Sequence, residues 1–354
     1  MNTPDRSDKQ VALWLLIGVG MTVIQVALGG ITRLTGSGLS ITEWQVITGA
    51  LPPFNEARWM EEFHKYQQTP QFQLLNFEFT LADFKFIFFW EWFHRLWARL
   101  IGLVFATGFI WFIVRKIFKK EMVAPLVLLF LLGALQGLVG WIMVASGLTG
   151  DAVYVKPTRL AMHFILALGL LSYTFWFALK LLIPDSQRIV ETKAKQTNIV
   201  LLILMTLQLM YGALMAGHKA ANVAATWPTI NGQWIPDALF SHQPFMLNFI
   251  DNTMLIQFIH RGLAYILFLL IVVWSLRLFK INGSHLFNRY KKWPMIIVFL
   301  QVVLGIASVL FSLQIVPGKW GVFEWMAQLH QLTGMLLLLS LVMMLFLLNK
   351  KTVA

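Results

Sequence analysis

The chain contains no cysteine. This excludes structural disulfides, thiolate nucleophiles, iron–sulfur clusters and cysteine-based zinc sites, and says nothing about redox compartment. Charge is also scarce. Only 12% of the 354 residues are charged, where a soluble domain carries roughly a quarter. With 58% hydrophobic residues and a mean hydropathy of +0.69, the composition is that of a lipid-facing protein. Acids are scarcer than bases, 16 against 28, leaving a net charge of +12. In a soluble domain that excess would raise the question of nucleic acid. Here the bases fall in short segments between apolar runs, so topology accounts for them and no nucleic-acid partner is expected. The N-terminal MNTPDRSDKQ runs into an apolar stretch with no small-residue cleavage site, which predicts a retained first helix.

Eight runs approach the roughly 20 apolar residues needed to cross a bilayer. They lie at 11–31, 86–114, 123–146, 159–183, 197–217, 253–276, 293–314 and 325–349. Alternate connections are basic: Arg115, Lys116, Lys119 and Lys120; Lys180, Arg188, Lys193 and Lys195; Arg277, Lys280, Arg289, Lys291 and Lys292; then Lys350 and Lys351. The other connections are poor in Lys and Arg. The positive-inside rule therefore predicts cytoplasmic termini, with the acidic loop 32–85 and the segment 218–252 outside. Within the first of these, Trp59, Met60, Phe63 and Tyr66 form a helical stripe that predicts a short helix lying on the membrane surface.

Four of the eight histidines lie inside apolar runs: His94, His163, His260 and His330. His94 precedes His260 by 166 residues and His163 precedes His330 by 167, and FHRLWARLIG (93–102) resembles IHRGLAYILF (259–268). LQGLVG (135–140) likewise matches LQVVLG (300–305). The fold class expected is an all-α integral membrane protein of eight spans, built as two tandem parallel four-helix bundles, 1–190 and 191–354. From each histidine to the first cation of the basic side is 21, 17, 17 and 20 residues in turn. At 1.5 Å per residue all four sit about 25–32 Å from that boundary, at one level near the outer face. Two histidine pairs on separate helices at equal depth meet the requirement for axial ligation of two heme irons. Zinc or copper would need further ligands, and no carboxylate or thiol cluster supplies them in both halves. His64, His218, His242 and His285 lie in connecting segments and are given no role.

The halves are not identical. Glu91 stands one turn before His94 on the same face, where the second half has Gln257. An intramembrane carboxylate is a functional candidate by default, against which stands a solvated residue at the helix entrance. Arg95 and Arg261 follow their histidines. Each has the chemistry to clamp a heme propionate or to snorkel to the headgroups. Arg99 has Tyr265 as its counterpart, and Gly29 and Gly30 are read as permitting close helix contact.

With these residues in view the chain resembles the heme A synthase family, cysteine-free branch. The resemblance rests on GGITRLTGSGLSITEW (29–44), GALPP (49–53), the block from Glu91 to Arg95, MVASGL (143–148), RLAMH (159–163), TWPTINGQWIPD (226–237), QFIHR (257–261) and LHQ (329–331). It implies oxidation of the C8 methyl of heme O to a formyl group, giving heme A for aa3-type cytochrome c oxidase. It further implies that His94 and His163 bind the substrate heme O, while His260 and His330 hold a permanent heme b that passes electrons. Glu91 would be the essential carboxylate, stabilising a cationic intermediate or steering water and protons. The site implied is a bacterial plasma (inner) membrane, and the partners implied are heme O synthase and oxidase assembly factors. Homo-oligomerisation stays open. The segment 217–225 departs from the family pattern and is given no role.

Competing readings remain at this point. A di-heme b-type electron-transfer protein, such as a quinol or ferric reductase subunit, predicts two equivalent, permanently occupied hemes and no need for Glu91. A transporter built on parallel repeats would need helix breaks that the few prolines do not supply. An assembly scaffold would leave the duplicated histidines unexplained.

Overall fold

Long helices capped by polar residues dominate the chain, and a computed structural model describes residues 4–43, 48–315 and 320–350 of it. In order these are α1 (Arg6–Leu34), α2 (Glu56–Gln67), α3 (Pro70–Leu75), α4 (Leu81–Val114), α5 (Lys120–Ala145), α6 (Pro157–Leu182), α7 (Thr192–Gly217), α8 (Asn248–Asp251), α9 (Thr253–Phe279), α10 (His285–Tyr290), α11 (Trp293–Leu310) and α12 (Val322–Leu347). Among the described residues eight helices are long and apolar enough to cross a membrane: α1, α4, α5, α6, α7, α9, α11 with its short α10 lead-in, and α12. All eight expected runs are therefore helical over most of their length, the 293–314 run stopping four residues short at Leu310. Most begin a few residues before the apolar run because caps and polar turns lie beyond the hydrocarbon. Asp5 with Asp8 caps α1, and Thr80 with Asp83 caps α4. Trp44 of the 29–44 block and Lys351 lie outside the described residues.

The neighbours repeat with the sequence. α1 packs on α4 and α6, as α7 packs on α9 and α12, while α5 packs on α6 as α11 packs on α12. Contacts between the two sets follow the same symmetry, α6 with α7 and α1 with α12, and α6 also meets α12. The largest core cluster, including Leu171, Leu201, Ile271, Trp274 and Leu341, lies along these seams away from the histidines. Burying it stabilises the bundle through close packing, since lipid and protein interior are equally apolar.

The stripe on α2 is buried against protein and not left for lipid. α4 starts five residues before its apolar run and offers Phe84 and Phe88, on which Trp59 packs edge-to-face, Phe63 tilted and Tyr66 stacked. Tyr66 is fully buried there, and desolvation pushes its phenol up to about 12.

Candidate functional site

The duplicated histidines open into one cavity. His94 on α4, His163 on α6, His260 on α9 and His330 on α12 all line a space of about 2280 Å³, more than twice the upper bound for an ordinary ligand pocket of roughly 300–1,000 Å³. The His260 and His330 rings face one another with centroids 6.4 Å apart at 81°.

Each imidazole is held the same way by the helix beside it. Glycine removes the side chain that would block the ring: a Cβ would lie 3.2 Å from the His94 ring at Gly29, 2.8 Å from His163 at Gly140, 3.2 Å from His260 at Gly212 and 2.8 Å from His330 at Gly305. One turn back on the same helices stand Gln25, Gln136, Gln208 and Gln301. The Gln25 amide nitrogen lies 3.3 and 3.2 Å from the two ring nitrogens of His94, and Gln136 and Gln208 repeat this within 3.4 Å on His163 and His260. In the fourth copy His330 Nδ1 donates to the Gln301 carbonyl at 3.1 Å. All four glutamine Oε1 atoms are buried and without a hydrogen-bond partner. Gln-x-x-x-Gly thus occurs once beside every histidine.

Glu91 is buried, 2% exposed, and fully engaged. Its Oε2 accepts from Ser40 N and Ser40 Oγ, both at 2.7 Å, and from Ile41 N at 3.0 Å. Its Oε1 accepts from Arg95 Nη2 at 2.6 Å, and Arg95 also donates to the carbonyls of Ile41 and Glu43. The second half repeats the device with reversed polarity. Gln257 Nε2 donates to the Ala220 and Ala224 carbonyls, each at 3.2 Å, and Arg261 donates to Thr229 and Ala224. In each half, then, the histidine helix pins the loop that follows the Gln-x-x-x-Gly helix. Glu91 matches two N–H groups and a hydroxyl, while Gln257 matches two carbonyls. Glu91 lines the cavity, while Gln257 is buried behind it.

Comparison with known proteins then decides the lineage. A family model described as COX15-CtaA, cytochrome oxidase assembly protein, matches residues 12–342. The chain belongs to this family. Among its curated relatives are a "Heme A synthase" of Paracoccus denitrificans, 42% identical over 85% of this chain and 80% of that protein, and one of Parvibaculum lavamentivorans, 41% identical over 89% and 90%. Another, of Flavobacterium psychrophilum, is 37% identical over 94% and 96%.

In this COX15-CtaA member the residues present fit heme. The cavity is large and mostly apolar, four imidazoles enter it in pairs, and glycines make room for each ring. Among the described residues no group of three His, Cys, Asp or Glu side chains is placed to hold a metal ion, and the four cavity imidazoles are donors of the kind a heme iron takes. His64, His218, His242 and His285 do not line the cavity; His218 Nε2 instead donates to the Ile250 carbonyl at 2.7 Å. Both Arg95 and Arg261 spend their guanidinium groups on loop carbonyls, and Arg33, near Glu324 and donating to Ala216 O at 3.3 Å, is a further cation on the cavity wall.

Three groups of residues were not singled out from the sequence. The glutamines were legible as the fourfold Gln-x-x-x-Gly, of which only the 135–140 and 300–305 copies stand out as similar strings. Ser40 carries no sequence signal beyond its block. The 217–225 segment, given no role, supplies the carbonyls that Gln257 and Arg261 hold. The glycine cradle gives a direct prediction. Gly140→Ala and Gly305→Ala each force a methyl to 2.8 Å from an imidazole, an overpacking of about 1–3 kcal/mol. If each pair holds heme, each variant should bind it more weakly at its own pair and leave the other pair unchanged, read by optical titration of the purified protein with added heme. Unchanged heme content in both would remove the cradle from the argument.

Proposed function

We propose that this chain is a heme A synthase, an oxidoreductase that converts the C8 methyl of heme O to a formyl group by successive oxidations. The observation that carries the reading is one cavity holding two duplicated histidine pairs, with Glu91 one turn from His94 where the second half has Gln257. The naming of its relatives, close to 40% identical over most of their length, supports the same reaction. In this reading His94 and His163 bind the substrate heme O, and His260 and His330 hold heme b. Heme b supplies a one-electron carrier when bound. Every partner of the Glu91 carboxyl group is a donor: Ser40 N, Ser40 Oγ, Ile41 N and the Arg95 guanidinium. In this reading those donors hold it in one place, facing positive charge that develops on the substrate methyl carbon. The topology proposed has both termini cytoplasmic and the heme sites near the outer face of the bacterial plasma membrane. Heme O synthase and oxidase assembly factors are the expected partners.

A second reading has one observation in its favour. Because Glu91 and Gln257 both pin loops, the lone carboxylate is compatible with a di-heme electron carrier. Total heme from cells that make heme O but lack their own synthase decides between them. With this gene added, heme A should appear, and with Glu91→Ala heme O should accumulate. Heme A from both keeps the enzyme and removes Glu91 from its chemistry. Protein that binds heme b but yields no heme A returns the electron-carrier reading.

A further inference from the structure

The cavity is not symmetric below the histidines. In the second half its lining ends at Leu267 on α9, Val298 on α11 and Leu337 on α12. Each is seven positions from its histidine or cradle glycine, about 10 Å along the helix. In the first half it runs on to Phe109 on α4, 15 positions from His94, and to Val127 on α5, 13 positions from Gly140. Those distances are about 20–22 Å. The extension is a slot between α4 and α5, which stand apart over most of their length, whereas α9 and α11 pack together.

The repeat explains the difference residue by residue. Gly18, Gly102, Gly133 and Gly137 line the slot, and a Cβ at any of them would meet nothing within 4 Å. Their counterparts, by the offsets that align the Gln-x-x-x-Gly and histidine positions, are Leu201, Phe268, Val298 and Val302. Leu201 is 0% exposed and Val298 3%. Phe299, the counterpart of Ala134, packs edge-to-face on Phe268 with ring centroids 5.0 Å apart. The second half is therefore plugged where the first is hollow.

We propose that this slot is the binding site for the long isoprenoid tail that distinguishes heme O from heme b, so that the hollow half takes the tailed heme and the plugged half the tailless one. The slot is continuous with the His94 and His163 site, is walled by Trp14, Phe105, Phe109 and Phe130, and is deep enough for an extended chain of a dozen or more carbons. Its walls carry apolar groups below Arg99, so the attraction is removal of hydrocarbon from water and close packing. The identity of the tailed ligand rests on the synthase reading, but the slot's preference is measurable without turnover.

The test is optical titration of the full-length protein, carrying its resident heme in nanodiscs, with heme O and with protoheme IX, which lacks the tail. Wild type should bind heme O at least about tenfold more tightly. Gly102→Phe with Ala134→Phe, which installs the second half's aromatic pair, should erase that preference, and Gly18→Leu should reduce it. The resident heme's spectrum reports that each variant is folded. Equal affinity of wild type for both hemes, or an unchanged preference in both variants, overturns the slot and leaves it to lipid acyl chains. Heme A assay separates this from the function. A wild type that prefers heme O and makes no heme A keeps the slot and sinks the synthase; one that makes heme A without preference sinks the slot alone.

Discussion

Replacing His260 or His330 with alanine should yield protein that folds and reaches the membrane with less than about a hundredth of the wild-type affinity for its resident heme. The reasoning starts from what the site lacks. Among the described residues no third metal-binding side chain joins either pair, and the second-half cavity is closed below the histidines, so nothing else in reach substitutes as a ligand. Loss of an outer-sphere partner of a metal ligand already costs about 10–100-fold in affinity, and loss of the ligand itself should cost at least the upper figure. The fold should survive because Leu201, Ile271, Trp274 and Leu341 of the core cluster lie about three turns from the histidines, and His330→Ala gives up one hydrogen bond, to the Gln301 carbonyl, with the ring contact to His260. Heme per chain by pyridine hemochrome, beside helix content by circular dichroism, reads both. His94→Ala is the informative companion, since it should leave the resident heme in place and remove only the added tailed heme. Full heme content in His260→Ala would mean that the facing rings are not its ligands.

The eight spans were legible because hydropathy over 20 residues is a local property that the bilayer enforces on each helix separately. That the four histidines belong together was legible because duplication wrote the set twice, at offsets of 166 and 167, and they do line one cavity. The slot was not, although its glycines are plain in the sequence. Gly102 becomes meaningful only when set against Phe268, and Ala134 against Phe299, because the two aromatic rings fill the space together and neither alone reveals a gap. Glu91 shows the opposite limit. Its contrast with Gln257 reads as a chemical asymmetry along the chain, yet in space both side chains perform a common task on different backbone polarity. The loop amides of Ser40 and Ile41 come from 50 residues away in sequence, and no periodicity announces them. The same holds for the α2 stripe, which read as lipid-facing because the aromatic platform covering it belongs to the start of another helix.

Glu91→Gln should be more damaging than its near-identical shape implies, and Ser40→Ala far less. Every partner of the Glu91 carboxylate is a donor: three on Oε2 and Arg95 on Oε1. A glutamine amide must turn its NH2 toward one of those groups, so in either orientation a buried donor faces a donor and the Arg95 charge loses its partner. Breaking a buried ion pair from one side costs about 3–5 kcal/mol, and the side chains here are 3% and 12% exposed, so solvent screens little of it. Ser40→Ala removes one hydroxyl donor, about 1.5–3 kcal/mol for a bond to a charged group, and leaves both backbone N–H groups and Arg95 in place. The carboxyl group then stays positioned. Thermal unfolding midpoints in nanodiscs should therefore fall in the order Ser40→Ala, then Glu91→Gln, while heme A formation should separate the two by kind and not by degree. If Glu91 supplies fixed charge to the reaction, Ser40→Ala keeps most of its product and Glu91→Gln makes none, even at temperatures where both remain folded and hold their resident heme. Product that merely follows the folded fraction in both variants would assign Glu91 to holding the 40–43 loop, and the charge that assists methyl oxidation would have to come from another group on the cavity wall.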